Sequence, residues 1–137
     1  MNDVSTERAI EALFTDIAAA FGALDLPRFR QLYALPCMIV TPQGGHPIHN
    51  DEEFSGFFLP MLHRLQAQGF GRSAFERMSV KLLAPTIALA SMHWTRFRTD
   101  GTVLETLGAT YTLLAIEGHW RIVSLIAHSA GTVATIE

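Results

Sequence analysis

The sequence predicts an α+β protein with helices packed on one face of a strongly curved sheet. Element order is the first reason, because two helices, a short hairpin and a third helix precede a long antiparallel meander. The second is the stretch from Ala88 to His128, three strand-like runs joined by two tight turns. The third is size: 137 residues, 49% of them hydrophobic, bury roughly two thirds of the unfolded chain's surface in one core. A single domain over residues 1–137 is expected, with its core at about 5–130 and a loose tail from Thr132 to Glu137.

Ser5 or Thr6 opens the first helix, and Ile10, Leu13, Phe14, Ile17, Ala18 and Phe21 recur at the three- and four-residue spacing of one buried face. Asp25 is a good N-cap for a second helix, with Pro27 in its first turn, running to about Tyr33. Leu35 to Thr41 is β-branched and apolar, and the turn cluster Pro42-Gln43-Gly44-Gly45 leads into a short strand around Pro47 to His49. Asn50 or Asp51 caps a third helix that buries Phe54, Phe57, Phe58, Met61, Leu62 and Leu65 and ends at Gly69. Pro60 should kink it, since proline lacks the helical donor. From Ala74 to Leu83, Glu76, Met78, Val80 and Leu82 alternate against Phe75, Arg77, Ser79 and Lys81, the pattern of a strand turning at Ala84-Pro85.

Asp100-Gly101 between alternating runs signals a two-residue type I′ hairpin, with positive φ at both central residues. Thr99 then faces Thr102, and Arg96–Glu105, Trp94–Leu107, Met92–Ala109 and Ala90–Tyr111 become cross-strand pairs on one face. Ile116-Glu117-Gly118 reads best as a three-residue loop with Gly118 left-handed, which pairs Tyr111 with Val123, Ala109 with Leu125 and Leu107 with Ala127. A two-residue turn at Glu117-Gly118 would flip the last strand.

Only 17% of the residues are charged and the formal net charge is −3, so there is no basic stripe for nucleic acid and no disorder signature. A single cysteine, Cys37, leaves no internal disulfide or thiolate cluster and suits a reducing cytoplasm. No apolar run approaches the roughly 20 residues of a membrane span, and the N-terminus lacks a basic leader pattern. A soluble cytoplasmic protein is expected, without nucleic-acid or membrane partners and without a cofactor. The half-apolar outer sheet face invites pairing with a second copy, and a homodimer through His93, Thr95, Thr110, Thr112, Trp120 and Ile122 is expected.

The element order, with Leu24-Asp25-Leu26, Ile39-Val40-Thr41-Pro42 before Gly44, Phe57-Phe58 on the third helix and the closing Trp120-Arg121-Ile122-Val123 to Ser129, resembles the nuclear transport factor 2-like superfamily. The resemblance covers about residues 5–130 and points to its SnoaL-like and ketosteroid isomerase-like members. It implies a curved, mixed but mostly antiparallel sheet wrapped on N-terminal helices, a cone with an internal pocket. Inward residues then line that pocket: Met78, Val80, Met92, Trp94, Tyr111, Val123 and Leu125, closed by Ile17, Tyr33, Phe54, Phe58 and Met61, with Thr41 at one wall. The isomerase-like members carry a carboxylate base at the end of the first strand and a tyrosine on the first helix. Here those positions fall on Thr41 and near Ile17, neither of which supplies the chemistry, so the isomerase mechanism does not transfer.

Six histidines call for a metal test. His46 and His49 fall on opposite faces of an extended segment, with no carboxylate or cysteine placed to complete a site. His63 and His119 read as exposed, and His93 and His128 as outer-face residues. Cys37, with no histidine neighbour in the register, reads as a small core residue. The expected ligand-binding set is Tyr33, Thr41, Phe58, Met92, Trp94, Arg96, Glu105 and Tyr111, with no catalytic residue assigned and no metal. Arg96 is either a fork for a planar anion or half of a rim ion pair with Glu105. Three functions follow: binding of a small apolar or aromatic molecule; an isomerase, cyclase or dehydratase using His49, Tyr111 or Glu105; or a structural dimer with a filled cone.

Overall fold

The computed structural model describes residues 4–132, so the expected tail lies almost wholly outside the described residues. Helix α1 spans Val4–Gly22, α2 Leu26–Arg30 and α3 Asp51–Ala67; strands are β1 Tyr33–Thr41, β2 Gly44–Ile48, β3 Phe70–Ala84, β4 Ile87–Arg98, β5 Val103–Ile116 and β6 His119–His128. The strands form one open sheet in the order β2-β1-β6-β5-β4-β3, in which β1 and β6 run parallel and all other neighbours antiparallel. No helix among the described residues is long and apolar enough to cross a membrane.

Local chemistry sets the helix ends. Asp25 caps α2 by accepting the Arg28 N–H at 3.1 Å. Asn50 caps α3 by accepting the Glu53 N–H, and Glu53 reaches back to the His49 N–H, both at 2.9 Å; this reciprocal arrangement satisfies two donors at the helix start. The second helix ends at Arg30, earlier than expected. Tyr33 opens β1 instead, and pairs with Ile122 on β6. Helix α3 continues through Pro60.

The two hairpin turns exchange the types that the sequence predicts. At the first, Asp100 accepts from both the N–H and the hydroxyl of Thr102. Only Gly101 in this loop takes a positive φ, 89°. Residues Thr99 to Gly101 form a three-residue loop closed by Arg98 N–H donating to Thr102 O at 2.8 Å. A register shift between Arg96 and Phe97 then restores the expected Arg96–Glu105, Trp94–Leu107, Met92–Ala109 and Ala90–Tyr111 pairs. At the second turn Glu117 and Gly118 both have positive φ, 52° and 80°, the requirement of a two-residue type I′ turn. Leu113 therefore pairs with Ile122 and Ala115 with Trp120.

The last strand does flip, but only near its turn. Beyond Ile122 the register shifts again, so Tyr111 pairs with Leu125 and Ala109 with Ala127. These pairs lie two residues from the expected ones, and this even displacement keeps Leu125 and Ala127 on the inner face. Near the turn the odd displacement sends Ile122, fully buried, and Trp120 to the core side rather than the outer face. On β3 a shift between Glu76 and Ser79, where Arg77 has φ 55°, puts Phe75 opposite inward Trp94, and Val80 opposite Ala90. Phe75, assigned outward by simple alternation, thus faces the core.

The outer face is partly covered by the chain's own end. His93 Nδ1 lies 3.1 Å from Ala130 O, which also accepts from Arg77. Ser91, Thr110 and His128 form a side-chain chain with contacts of 2.9 and 2.8 Å. Gly108 makes room for it: a Cβ there would lie 2.5 Å from the His128 ring.

Candidate functional site

Core packing fills one end of the space between helices and sheet and leaves the other open. At the filled end Ile10, Phe14, Ala88, Ala90, Met92, Leu113 and Ile122 are all completely buried. Phe14 stacks 4.7 Å from Tyr111 and 6.2 Å from Phe75, ring centre to ring centre. Toward the Asp100-Gly101 end lies a cavity of about 250 Å³. Its walls come from α1 (Ile17, Phe21), α3 (Phe57, Phe58, Met61), β1 (Tyr33, Ile39) and the inner sheet face (Trp94, Leu107, Leu125). The exposed turn residues Pro42 and Gln43 stand at its rim.

Of the expected ligand-binding set, Tyr33, Thr41, Phe58, Trp94, Arg96 and Tyr111 line this cavity. Met92 does not: it sits one inward position along β4 from Trp94, in the filled end. Glu105 is absent from the walls but is tied to one of them through its ion pair with Arg96. Phe54, Met78, Val80 and Val123, expected around the pocket, do not line it either. Phe54 is sealed in an aromatic cluster with Phe29, Tyr33 and Phe58. Met78 falls in the irregular stretch of β3 and Val123 at the shift of β6, where strict alternation fails.

The wall residues that sequence reasoning missed include Phe21, Phe29, Ile39, Phe57 and Leu107. For Phe21, the signal was available in the helix periodicity already used for the core. Leu107 was placed opposite Trp94 and needed only to be counted.

Polar groups in the walls are few. Trp94 Nε1 donates to the Tyr111 hydroxyl at 2.9 Å, a buried bond. Tyr33 is 3% exposed. Tyr33 lines the cavity, and its hydroxyl makes no hydrogen bond among the described residues. Burial pushes both phenols above their ordinary pKa; nearby Tyr111 and Cys37 add to the rise at Tyr33, while the Trp94 bond and Arg96 oppose it at Tyr111. Both are neutral hydrogen-bond donors throughout the physiological range. Thr41 spends its hydroxyl on the adjacent turn, accepting the Gln43 N–H at 3.2 Å.

Arg96 is the cation of the wall, its side chain 14% exposed and its guanidinium 5.1 Å from the Phe21 ring centre. Glu105 binds that guanidinium with one carboxylate oxygen and faces Arg64 of α3 with the other, at 3.8 Å. The bridge links sheet and helix beside the open end. No carboxylate and no histidine lines the cavity among the described residues. His49 stands outside it, bonded to Glu53 at 2.9 Å on the surface, and no group of three metal-ligating side chains occurs among the described residues.

A family model described as an NTF2-like protein (DUF6841) matches residues 6–130. The chain belongs to this NTF2-like family. Solved structures agree on the fold. Aln2 from a Streptomyces species superposes with a TM-score of 0.79 at 16% identity, covering 94% of each chain. A cystatin-like-fold protein of unknown function from Nostoc punctiforme gives 0.74 at 11% identity, over 96% of this chain and 93% of that one. An NTF2-like protein of unknown function from Shewanella oneidensis gives 0.73 at 18%, over 90% and 99%. No curated protein matches the sequence. Such distant likenesses fix the architecture of this NTF2-like chain and leave its activity to be argued from the site.

Proposed function

We propose that this NTF2-like protein binds a small, predominantly apolar molecule in the cavity between α1, α3 and the inner sheet face. The observation that carries the reading is an unfilled space walled by aromatic and aliphatic side chains, with a few polar groups converging on it. Ligand sites commonly take that form. An acid–base enzyme needs a titratable group against its substrate, and the wall's titratable groups are two phenols pushed upward and a paired arginine. Binding without chemistry is the simpler use of this site.

Naphthalene, which has no polar atom, tests the reading by heteronuclear NMR titration. The expected result is saturable shifts at Trp94, Leu107, Leu125 and their neighbours. Absence of saturable shifts there, or shifts confined to the outer face, would overturn it.

A second reading has its own observation. Met38, Val40 and Ile126 are 41%, 36% and 40% exposed, and Val40 pairs with Ile126 while Met38 lies two residues along β1. We infer that copies of the chain associate through this part of the outer face, displaced from the expected set. Trp120 and Ile122 face inward, and His93 and Thr110 are engaged by residues 128 and 130. Sedimentation is expected to show a dimer at micromolar concentration and a monomer for Val40→Glu with Ile126→Glu. A monomeric wild type would overturn the inference.

A further inference from the structure

Apart from Thr41, Gln43 and Ser73, the polar groups of the cavity divide into two kinds that select different ligands. Arg96 offers a fork suited to a carboxylate, but its charge is already met by Glu105, which accepts from Nη1. An anionic ligand would have to displace Glu105 or settle beside its negative charge in a poorly solvated wall, and either costs more than the contact returns. The phenols carry no such obstacle. The Tyr111 oxygen takes the Trp94 N–H, which leaves its own proton to donate. Tyr33, nine-tenths buried, has a hydroxyl with no partner in the described structure.

We propose that Glu105 is a specificity determinant of this cavity: by holding Arg96 it reserves the site for uncharged ligands bearing a hydrogen-bond-accepting oxygen, which Tyr33 and Tyr111 receive. This rests on the cavity-binding reading above and adds the class of molecule. A ketone or ester carbonyl on an apolar frame satisfies the donors, and the same frame ending in a carboxylate is rejected. Replacing Glu105 by Gln leaves the Arg96 charge in the wall without its counter-ion. The preference then turns toward anions, because the half-exposed Arg64 on α3 brings no negative charge to replace it.

Three probes on one frame separate the possibilities: naphthalene, 2-acetylnaphthalene and 2-naphthoate, titrated by NMR at neutral pH and followed at the Trp94 indole N–H. The wild type is expected to bind the ketone about tenfold or more tightly than the carboxylate, a difference of roughly one charge-assisted contact. Glu105→Gln is expected to move that ratio toward the carboxylate by about tenfold or more. Tyr33→Phe and Tyr111→Phe are expected to weaken the ketone by a larger factor than naphthalene, which makes no hydrogen bond to either hydroxyl. The wild-type ratio and the tyrosine variants decide the matter even if Glu105→Gln does not fold.

Naphthoate binding the wild type as tightly as the ketone would overturn the proposal. So would a ratio unmoved in folded Glu105→Gln, or ketone affinity unmoved in both tyrosine variants. In each case bound naphthalene leaves the cavity-binding reading intact. Failure of naphthalene itself to bind overturns both.

Discussion

Phe54→Ala is expected to destabilise the fold by about 3–5 kcal/mol, the range for deleting a fully buried phenylalanine. Phe54 is completely buried on α3. Its ring centre lies 4.7 Å from Phe58, 5.1 Å from Tyr33 and 6.0 Å from Phe29, and the Arg30 guanidinium approaches the same ring at 5.7 Å. Removing the ring opens a hole where α2, α3 and β1 meet, and the surrounding rings belong to three different elements, so collapse around it is incomplete. Chemical denaturation should show the loss, with the melting temperature falling by roughly 10 °C or more. Leu59→Ala on the same helix is the control: Leu59 is 40% exposed, and its removal should cost less than about 1 kcal/mol. Equal losses in the two variants would contradict the packing described here.

How much of this was legible beforehand depends on parity. The Arg96–Glu105 and Ala90–Tyr111 pairs follow from Asp100-Gly101 even though that turn takes another form, because the shift beside Phe97 cancels the offset of the longer loop. The inner-face placement of Leu125 and Ala127 survives for a similar reason: the turn at Glu117-Gly118 and the shift beyond Ile122 together displace the strand by two residues. Trp120 and Ile122 lie between those two irregularities, where the displacement is odd, so their assignment to the outer face reverses. Irregularities of this kind were not visible in residue type. Arg77 carries a positive φ without being glycine, and nothing in the Glu76 to Leu82 pattern marks the break.

The site was legible wherever such breaks leave the β4–β5 pairing unchanged, as they do even for Arg96 beside one of them. Trp94, Arg96 and Tyr111 sit on regular pairs and line the cavity as expected. Met92 sits on the same regular face but deeper, and depth along a face is set by how far α1 fills the space. Phe14 and Ile10 close off that end, a tertiary fact that alternation does not encode. The Trp94–Tyr111 hydrogen bond was likewise hidden. Trp94 is paired with Leu107, and the bond reaches two inward positions further along β5, past Ala109, to Tyr111.

Ligand binding requires the cavity to be space that a molecule can enter, and filling it with Ala127→Phe is expected to abolish binding. Ala127 lines the cavity beside Ala109; Ala127→Phe projects a ring into the space that Trp94 and Leu107 border. Such overpacking costs the fold typically about 1–3 kcal/mol, a loss the protein should survive, whereas a ligand loses its room. The measurement is a crystal held under xenon, an atom that enters dry apolar cavities large enough for it. The prediction is a xenon site in the wild type among Trp94, Leu107 and Phe58, lost in Ala127→Phe. A wild-type cavity closed by its own side chains, with no xenon among those residues, would contradict the account.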